Sequence, residues 1–335
     1  MPTIDDLYRN VIEAADRFRS VLLREDAKSL TRLLDAYAAG YAKLQDKIDL
    51  LIIQMAEETA TKGQILRWTR YRQLQEQITA ELSNYQTFAR FELDGAVSSA
   101  LNMGGTHARQ MMAISLGDPA LAAAFNTLPK DAVITMLGFL QEDSPLYQRI
   151  QMISPATAQY VEDKLIEGIT LGYNPRKIGR MLADAYGRGL TDSLRMVRTA
   201  QLWAYRESSR ANYAANADIL DGWVWHAKLD GLTCMSCVAQ HGSVHPLDEP
   251  LNDHYNGRCA PLPITKLFGA PVQQTGPEWF DTLTPEDQQQ MMGKGKHEAW
   301  TDGRFALSQL SVSRTDAIYG NMRTEATLKE LIPAE

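Results

Sequence analysis

The strongest constraint on this chain is a run of apolar residues spaced alternately four and three apart near its start. Leu23, Ala27, Leu30, Leu34, Tyr37, Tyr41, Leu44, Ile48, Leu51 and Met55 form a seam sustained for more than four heptads, with no proline to interrupt it. Such spacing places one apolar stripe along a single long helix, which must be covered by another element. A break is expected near Thr59 to Gly63, after which Tyr71, Leu74, Ile78, Leu82 and Tyr85 begin a second amphipathic helix. A helical hairpin follows, its helices antiparallel, either as the flank of a bundle or as a projecting coiled-coil stalk.

Further along, the helices shorten. Ser154-Pro155 and Asn174-Pro175 each combine a side-chain acceptor with a proline suited to the first helical position, so both should start helices. The second of these should end at Gly187, and a third helix, rich in alanine, is expected from about Leu190 to Asn216. This stretch is locally basic. Arg176, Lys177, Arg180, Arg188, Arg195, Arg198, Arg206 and Arg210 stand against Asp184, Asp192 and Glu207, although the whole chain carries a net charge of -7. An acidic balance argues against a protein that coats nucleic acid with its whole surface. The basic helix face is then either ordinary solvated surface or a contact for DNA or a partner, through Arg176, Lys177, Arg180, Arg195, Arg198, Arg206 and Arg210.

At DGWVWHAKLDGLTC the pattern changes to the alternation of a strand, with Trp223 and Trp225 as core candidates and Asp230-Gly231 as a turn. All three cysteines and four of the six histidines fall between here and Pro263. Three cysteines do not make a paired disulfide framework. Cys234 and Cys237 form a C-x2-C knuckle, and His254 and Cys259 follow, which together supply the four sulfur and nitrogen donors of a tetrahedral, structural zinc site. Two other readings stand beside it: reduced cysteines packed under the tryptophans, and a redox Cys234/Cys237 pair. His241 and His245 are alternative donors. After the module, Thr284-Pro285-Glu286-Asp287 caps a helix that stops at Gly293, and the tail is expected to run as short helices and loops.

The reading is a mainly α protein with a small α+β C-terminal module, in four consecutive segments: a long-helix stalk or bundle (1–103), a central helical region with the basic helix (104–216), a β-rich Cys/His module (217–270) and a helical tail (271–335). The longest apolar run, Ala120 to Phe125, is far short of the ~20 residues that cross a bilayer, so no membrane association is expected. MPTIDDLYRN lacks the basic and apolar regions of a secretory signal, and synthesis in a cytosol is expected. Nucleophile elbows, P-loops, H-E-x-x-H and deaminase signatures do not occur. His254 with Asn256 beside cysteines is the single feature pointing toward a metal-dependent nuclease.

The C-terminal half resembles the phage Mu F-like minor head proteins, the head morphogenesis proteins of tailed bacteriophages. The matching residues are Arg198-Thr199, Trp223, Trp225, Asp230, Thr233-Cys234, Cys237, Gly242, Val244-His245-Pro246, and His254 with Arg258-Cys259 before Pro261. Gly276, Glu278-Trp279-Phe280, Pro285, Gln288, Gly293-Lys294, Ala299-Trp300 and Asp302-Gly303 extend the likeness into the tail. The chain departs from the family pattern where Ala200 stands for a glutamate, Gly257 for the first cysteine of C-R-C, and Tyr255 for a proline. The resemblance implies a non-enzymatic virion component, made in the infected bacterial cytoplasm and incorporated at or near the portal vertex. Its implied partners are the portal protein, scaffold or major capsid protein and double-stranded genomic DNA, and its implied work is prohead assembly and DNA packaging or delivery. Some relatives carry a C-terminal toxin or enzyme domain, for which the tail leaves no expected room.

Overall fold

The computed structural model describes residues 3–57, 67, 69–137, 141, 143–171, 173, 175–271 and 274–332. It is mainly helical. In order come α1 (Ile4–Glu57), α2 (Thr69–Ser115), α3 (Lys130–Leu137), α4 (Pro145–Thr170), α5 (Pro175–Ala214), β1 (Leu220–His226), α6 (Met235–Gln240), β2 (Val244–His245) and β3 (Ala260–Thr265). The C-terminal part adds α7 (Gly276–Asp281), α8 (Pro285–Met292), α9 (Lys294–Thr301), β4 (Ser311–Asp316), β5 (Gly320–Glu325) and α10 (Leu328–Leu331). The chain divides into two compact units, one made of 1–24, 97–139 and 201–335, the other of 25–96 and 140–200. Each gathers separate stretches of chain, where the sequence suggests four consecutive segments. The expected break near Thr59 to Gly63 and the cap at Asn174 lie outside the described residues.

In the unit of 25–96 and 140–200, the two long helices run antiparallel. Lys43 pairs with Glu81 at 2.9 Å and Arg32 with Glu92 at 2.8 Å, so the partners descend along one helix as they climb the other. Tyr71, Leu74, Ile78, Leu82 and Tyr85 are all buried, as their spacing requires. On α1 the buried line follows the expected seam from Tyr37 onward, through Leu44, Ile48 and Leu51. Before Tyr37 it runs one residue earlier, through Leu22, Asp26, Ser29 and Leu33, and Leu34 is 48% exposed. Polarity explains the shift. Asp26 is buried because Arg198 meets it at 3.3 Å, and a search for apolar positions passes over such a residue.

The hairpin packs as part of a bundle. Tyr37 stacks edge-on against Tyr85 at 4.5 Å and donates its hydroxyl to the Tyr186 carbonyl, while Tyr71 donates to Glu162 at 2.9 Å. Two expected helix boundaries are absent. Pro155 sits inside α4, and Ser154, instead of capping, donates its hydroxyl to the Leu82 carbonyl at 2.7 Å. Packing of the flanking turns holds the helix across the proline, whose missing N–H would otherwise favour a break. Gly187 likewise does not end a helix, since α5 continues through it to Ala214. Gly189 is there because α4 comes close: a Cβ at that position would lie 2.4 Å from Thr157 Oγ1.

The other unit is built around β1. The sheet order is β2-β1-β3, all antiparallel, with Trp223 opposite His245 and Pro263, and Trp225 opposite Pro261. A central strand with helices and loops over it must be apolar on both faces, and apart from Asp221 every residue of β1 other than Gly222 is a large buried side chain. One face, with Val224, Leu262 and Ile264, packs on Val11, Ala14 and Phe18 of α1 and Met111 of α2. The opposite face places Trp223 and Trp225 against Cys237, Leu251 and Cys259. The end of α5 reaches this unit through close contact with α2: Ser208 donates to the Leu101 carbonyl at 2.7 Å, and a Cβ at Gly104 would stand 2.4 Å from the Tyr205 carbonyl oxygen.

The tail holds a β-hairpin, β4 with β5, where only helices and loops are expected from the sequence. Its strands are polar, with Ser311, Ser313, Arg314 and Thr315 in the first, so the alternation that marks β1 is faint. The capped helix does form, with Thr284 Oγ1 accepting from the Asp287 N–H and Gly293 at φ +82. Phe280, Met292, Leu307, Leu310 and Leu331 close over Met235 and Val238 of α6, so the tail is the outer wall of the cysteine module.

The register of α1 is directly testable. Leu33→Ala should cost about 2–5 kcal/mol, as truncation of a buried leucine does, and Leu34→Ala should stay within about 0.5 kcal/mol, both read from urea unfolding followed by helical circular dichroism.

Candidate metal centre

The C-x2-C knuckle lies at the start of α6. Cys234 is its N-cap, with Sγ accepting from the Cys237 N–H at 3.4 Å, so both sulfurs point to one side of the first turn. The approach to that turn is fixed by Asp230. Its carboxylate accepts from the Leu232 N–H and the Thr233 hydroxyl, both at 3.1 Å, and pairs bidentately with Arg258 at 2.9 and 2.6 Å. Arg258 directly precedes Cys259. The pair therefore ties the knuckle to the third cysteine, just before β3, and a bidentate guanidinium fixes direction as well as distance.

The remaining donors come from the loop before β3. Asn256, at φ +58, and Gly257 turn the chain so that His254 faces the sulfurs. His254 Nε2 lies 3.1 Å from Cys234 Sγ and 3.3 Å from Cys237 Sγ. Its Nδ1 donates to the Tyr255 carbonyl at 2.8 Å, which fixes the tautomer and leaves Nε2 as the ligating atom. A zinc ion with ordinary bond lengths separates sulfur from nitrogen donors by roughly 3.5 Å, so these distances suit it. Cys259 completes a second group with Cys237 and Asp253, the ligand atoms of each group lying within 4.8 Å of one another. Cys234, Cys237, His254, Asp253 and Cys259 thus lie close together and could hold a metal. Trp223 and Trp225 roof the site, as core residues.

The electrostatics favour the thiolate at Cys234 and the protonated form at His254 and Cys237. Hydrogen bonds from the Cys237 thiol and from His254 outweigh burial and bring Cys234 down to about 5. Burial opposes charge on His254, but its contact with Cys234 and the nearby Asp253 carry it up to about 10. Cys237, which donates to the Cys234 sulfur and lies close to Cys259 in a buried setting, is pushed well up.

The two alternative histidines are committed elsewhere. His241 Nδ1 accepts from the Ala227 N–H at 3.0 Å, and His245 stacks on Trp223 at 4.2 Å while meeting Glu249 at 3.1 Å. The basic residues of α5 do not share one environment. Arg206 is buried, donating from Nε to the Cys259 carbonyl at 2.8 Å, from Nη2 to the Gly257 carbonyl, and pairing with Asp253 at 3.1 Å. Arg210 is also buried, against Glu207 at 2.8 Å and the Leu247 carbonyl at 2.8 Å. Both are corrections to the expected contact surface: a guanidinium enters the interior when carbonyls and carboxylates take up its donors. Arg198 is half-buried on Asp26, whereas Lys177, Arg180 and Arg195 are exposed. The side chain of Arg176 lies outside the described residues.

Sequence reasoning passed over Asp253 and Glu207. Glu207 stands seven residues after Ala200, where the family pattern has its acid, and its buried carboxylate is held by Arg210. A charged Arg-Glu pair inside an otherwise small and aromatic stretch, Trp203 to Ala214, was the available signal. No family model matches the chain, and no match was found among the curated proteins or the solved structures.

The Asp230–Arg258 pair has a defined pH signature. The hydrogen bonds from Arg258 hold Asp230 down to about 2, below its unfolded value, so its stabilising contribution is complete above about pH 4 and is lost as pH falls through about 2. Asp230→Asn should lower stability at neutral pH and flatten the acid limb of the stability curve between pH 4 and 2, as followed by thermal melts across that range.

Proposed function

We propose that the module at 217–270 is a structural zinc unit, held by Cys234, Cys237, His254 and Cys259. Zinc would cross-link the start of α6 to the loop before β3. Three thiols and an imidazole fill a tetrahedral ion with protein donors, leaving no position for a substrate water. This makes the chain, in class, a helical assembly protein stiffened by a small metal module. Within that class, we infer a minor head protein of a tailed bacteriophage, a virion component that docks at the portal and serves prohead assembly and DNA packaging or delivery.

One observation carries the reading. Residues quoted for the resemblance between Trp223 and Arg258 meet within one buried unit, where several have mechanical work. Asp230 ties down Arg258, Thr233 caps the turn, Cys234 and Cys237 face His254, Gly242 takes φ +90, and Trp223 stacks on His245. Such interlocking makes a rigid body, as a docking surface requires. A nuclease reading through His254 and Asn256 has less support, because His254 Nε2 faces two cysteine sulfurs, the donor set of a closed zinc site, and its Nδ1 is held by the Tyr255 carbonyl. DNA contact, where it occurs, falls to the exposed Lys177, Arg180 and Arg195.

Elemental analysis of protein purified without chelator should find about one zinc per chain, and its removal should lower the melting temperature. Zinc-free protein with an unchanged melting temperature would sink the metal reading. For the assembly role, the chain should co-purify with a phage portal protein and appear at the portal vertex in a cryo-EM map of proheads. Cleavage of plasmid DNA by the purified protein with divalent metal, abolished in His254→Ala, would instead establish the enzyme.

A further inference from the structure

The carboxylate of Asp253 is fully buried, and the loop that carries His254 and Cys259 is tied together through it. Oδ1 accepts from the His254 N–H at 2.9 Å and lies 3.5 Å from both Cys237 Sγ and His254 Nε2. Oδ2 accepts from the Cys259 N–H at 3.3 Å and meets Arg206 Nη2 at 3.1 Å. The same guanidinium, brought in by α5, binds the carbonyls of Gly257 and Cys259. One acid and one base thus reach Cys237, His254 and Cys259 at once.

Gly257 makes the arrangement possible. A Cβ there would lie 2.1 Å from Asp253 Oδ2, so the carboxylate fills the space in which a side chain at 257 would begin. This is the position at which the chain departs from the cysteine of the C-R-C pattern. We infer that Asp253, held by Arg206, is the positioning residue of the metal site, aligning His254 and Cys259 from the space vacated at Gly257 without itself serving as a ligand. Its charge is already met by the guanidinium, and three thiols with one imidazole complete the preferred zinc set. The inference rests on the zinc reading above. It adds that metal affinity depends on a helix residue that touches no metal ligand side chain.

The test uses the full-length chain and zinc itself. Asp253→Asn and Arg206→Met should each weaken zinc binding by about 10–100-fold, the range for loss of a partner that orients ligands, measured by competition with a chromophoric chelator. The double variant should be little weaker than either single one, because the two residues act through each other. Cobalt-substituted Asp253→Asn should keep the visible bands and thiolate charge-transfer intensity of the wild type. Gly257→Ala, which alters no charge but presses on the carboxylate, should weaken zinc in the same way and serves where the other variants fail to fold. Unchanged affinity in these variants, or shifted cobalt bands that mark Asp253 as a ligand, overturns the inference while leaving the zinc reading intact. A wild-type chain that binds no zinc overturns both.

Discussion

The strand Leu220–His226 has no face that it can leave to water, and the unit that contains it is arranged around that fact. Its Val224 side needs helices, which the first turns of α1 and the later turns of α2 supply through Val11, Phe18 and Met111. Its tryptophan side needs a different cover, because Trp223 and Trp225 are broad and the chain that follows is short and polar. The cysteine loop is that cover. A segment so poor in apolar residues stays folded only if its polar groups are bonded among themselves, and Asp230, Arg258, Asp253 and Arg206 do this.

The burial of Arg206 follows from the same need. Carbonyls at 257 and 259 turn inward because the loop is too tight to present them to water, and a helix directly behind it offers a donor with the fork geometry to meet them. The ion pair with Asp253 is then a by-product of closing the loop as much as a source of stability, since desolvating two charges offsets much of their attraction. Its value lies in direction: it leaves the loop one conformation.

What could be read in the sequence depended on whether apolar spacing alone specified the position. Tyr71 to Tyr85, β1 and the capped helix at Thr284 were legible because periodicity and caps act locally. The shift at Leu33 was hidden by the polar Asp26 and Ser29, of which Asp26 is met by a partner far along the chain, Arg198. Pro155 and Gly187 carry ordinary stop signals, and only packing with neighbouring helices overrides them. Of the site, the four Cys and His donors stood out by type and spacing, but Asp253 did not, because an aspartate in a loop is usually solvated. Arg206 and Arg210 were misread for a related reason: basic residues spaced along a helix look alike whether they face water or the interior.

The two prolines of β3 have a consequence beyond the core they line. β3 is an outer strand of the sheet, and at Pro261 and Pro263 it has no N–H to offer, while the Pro261 carbonyl already receives the Tyr213 hydroxyl at 3.4 Å. A free strand from another chain would find few groups to pair with there. The sheet is closed to extension on that side.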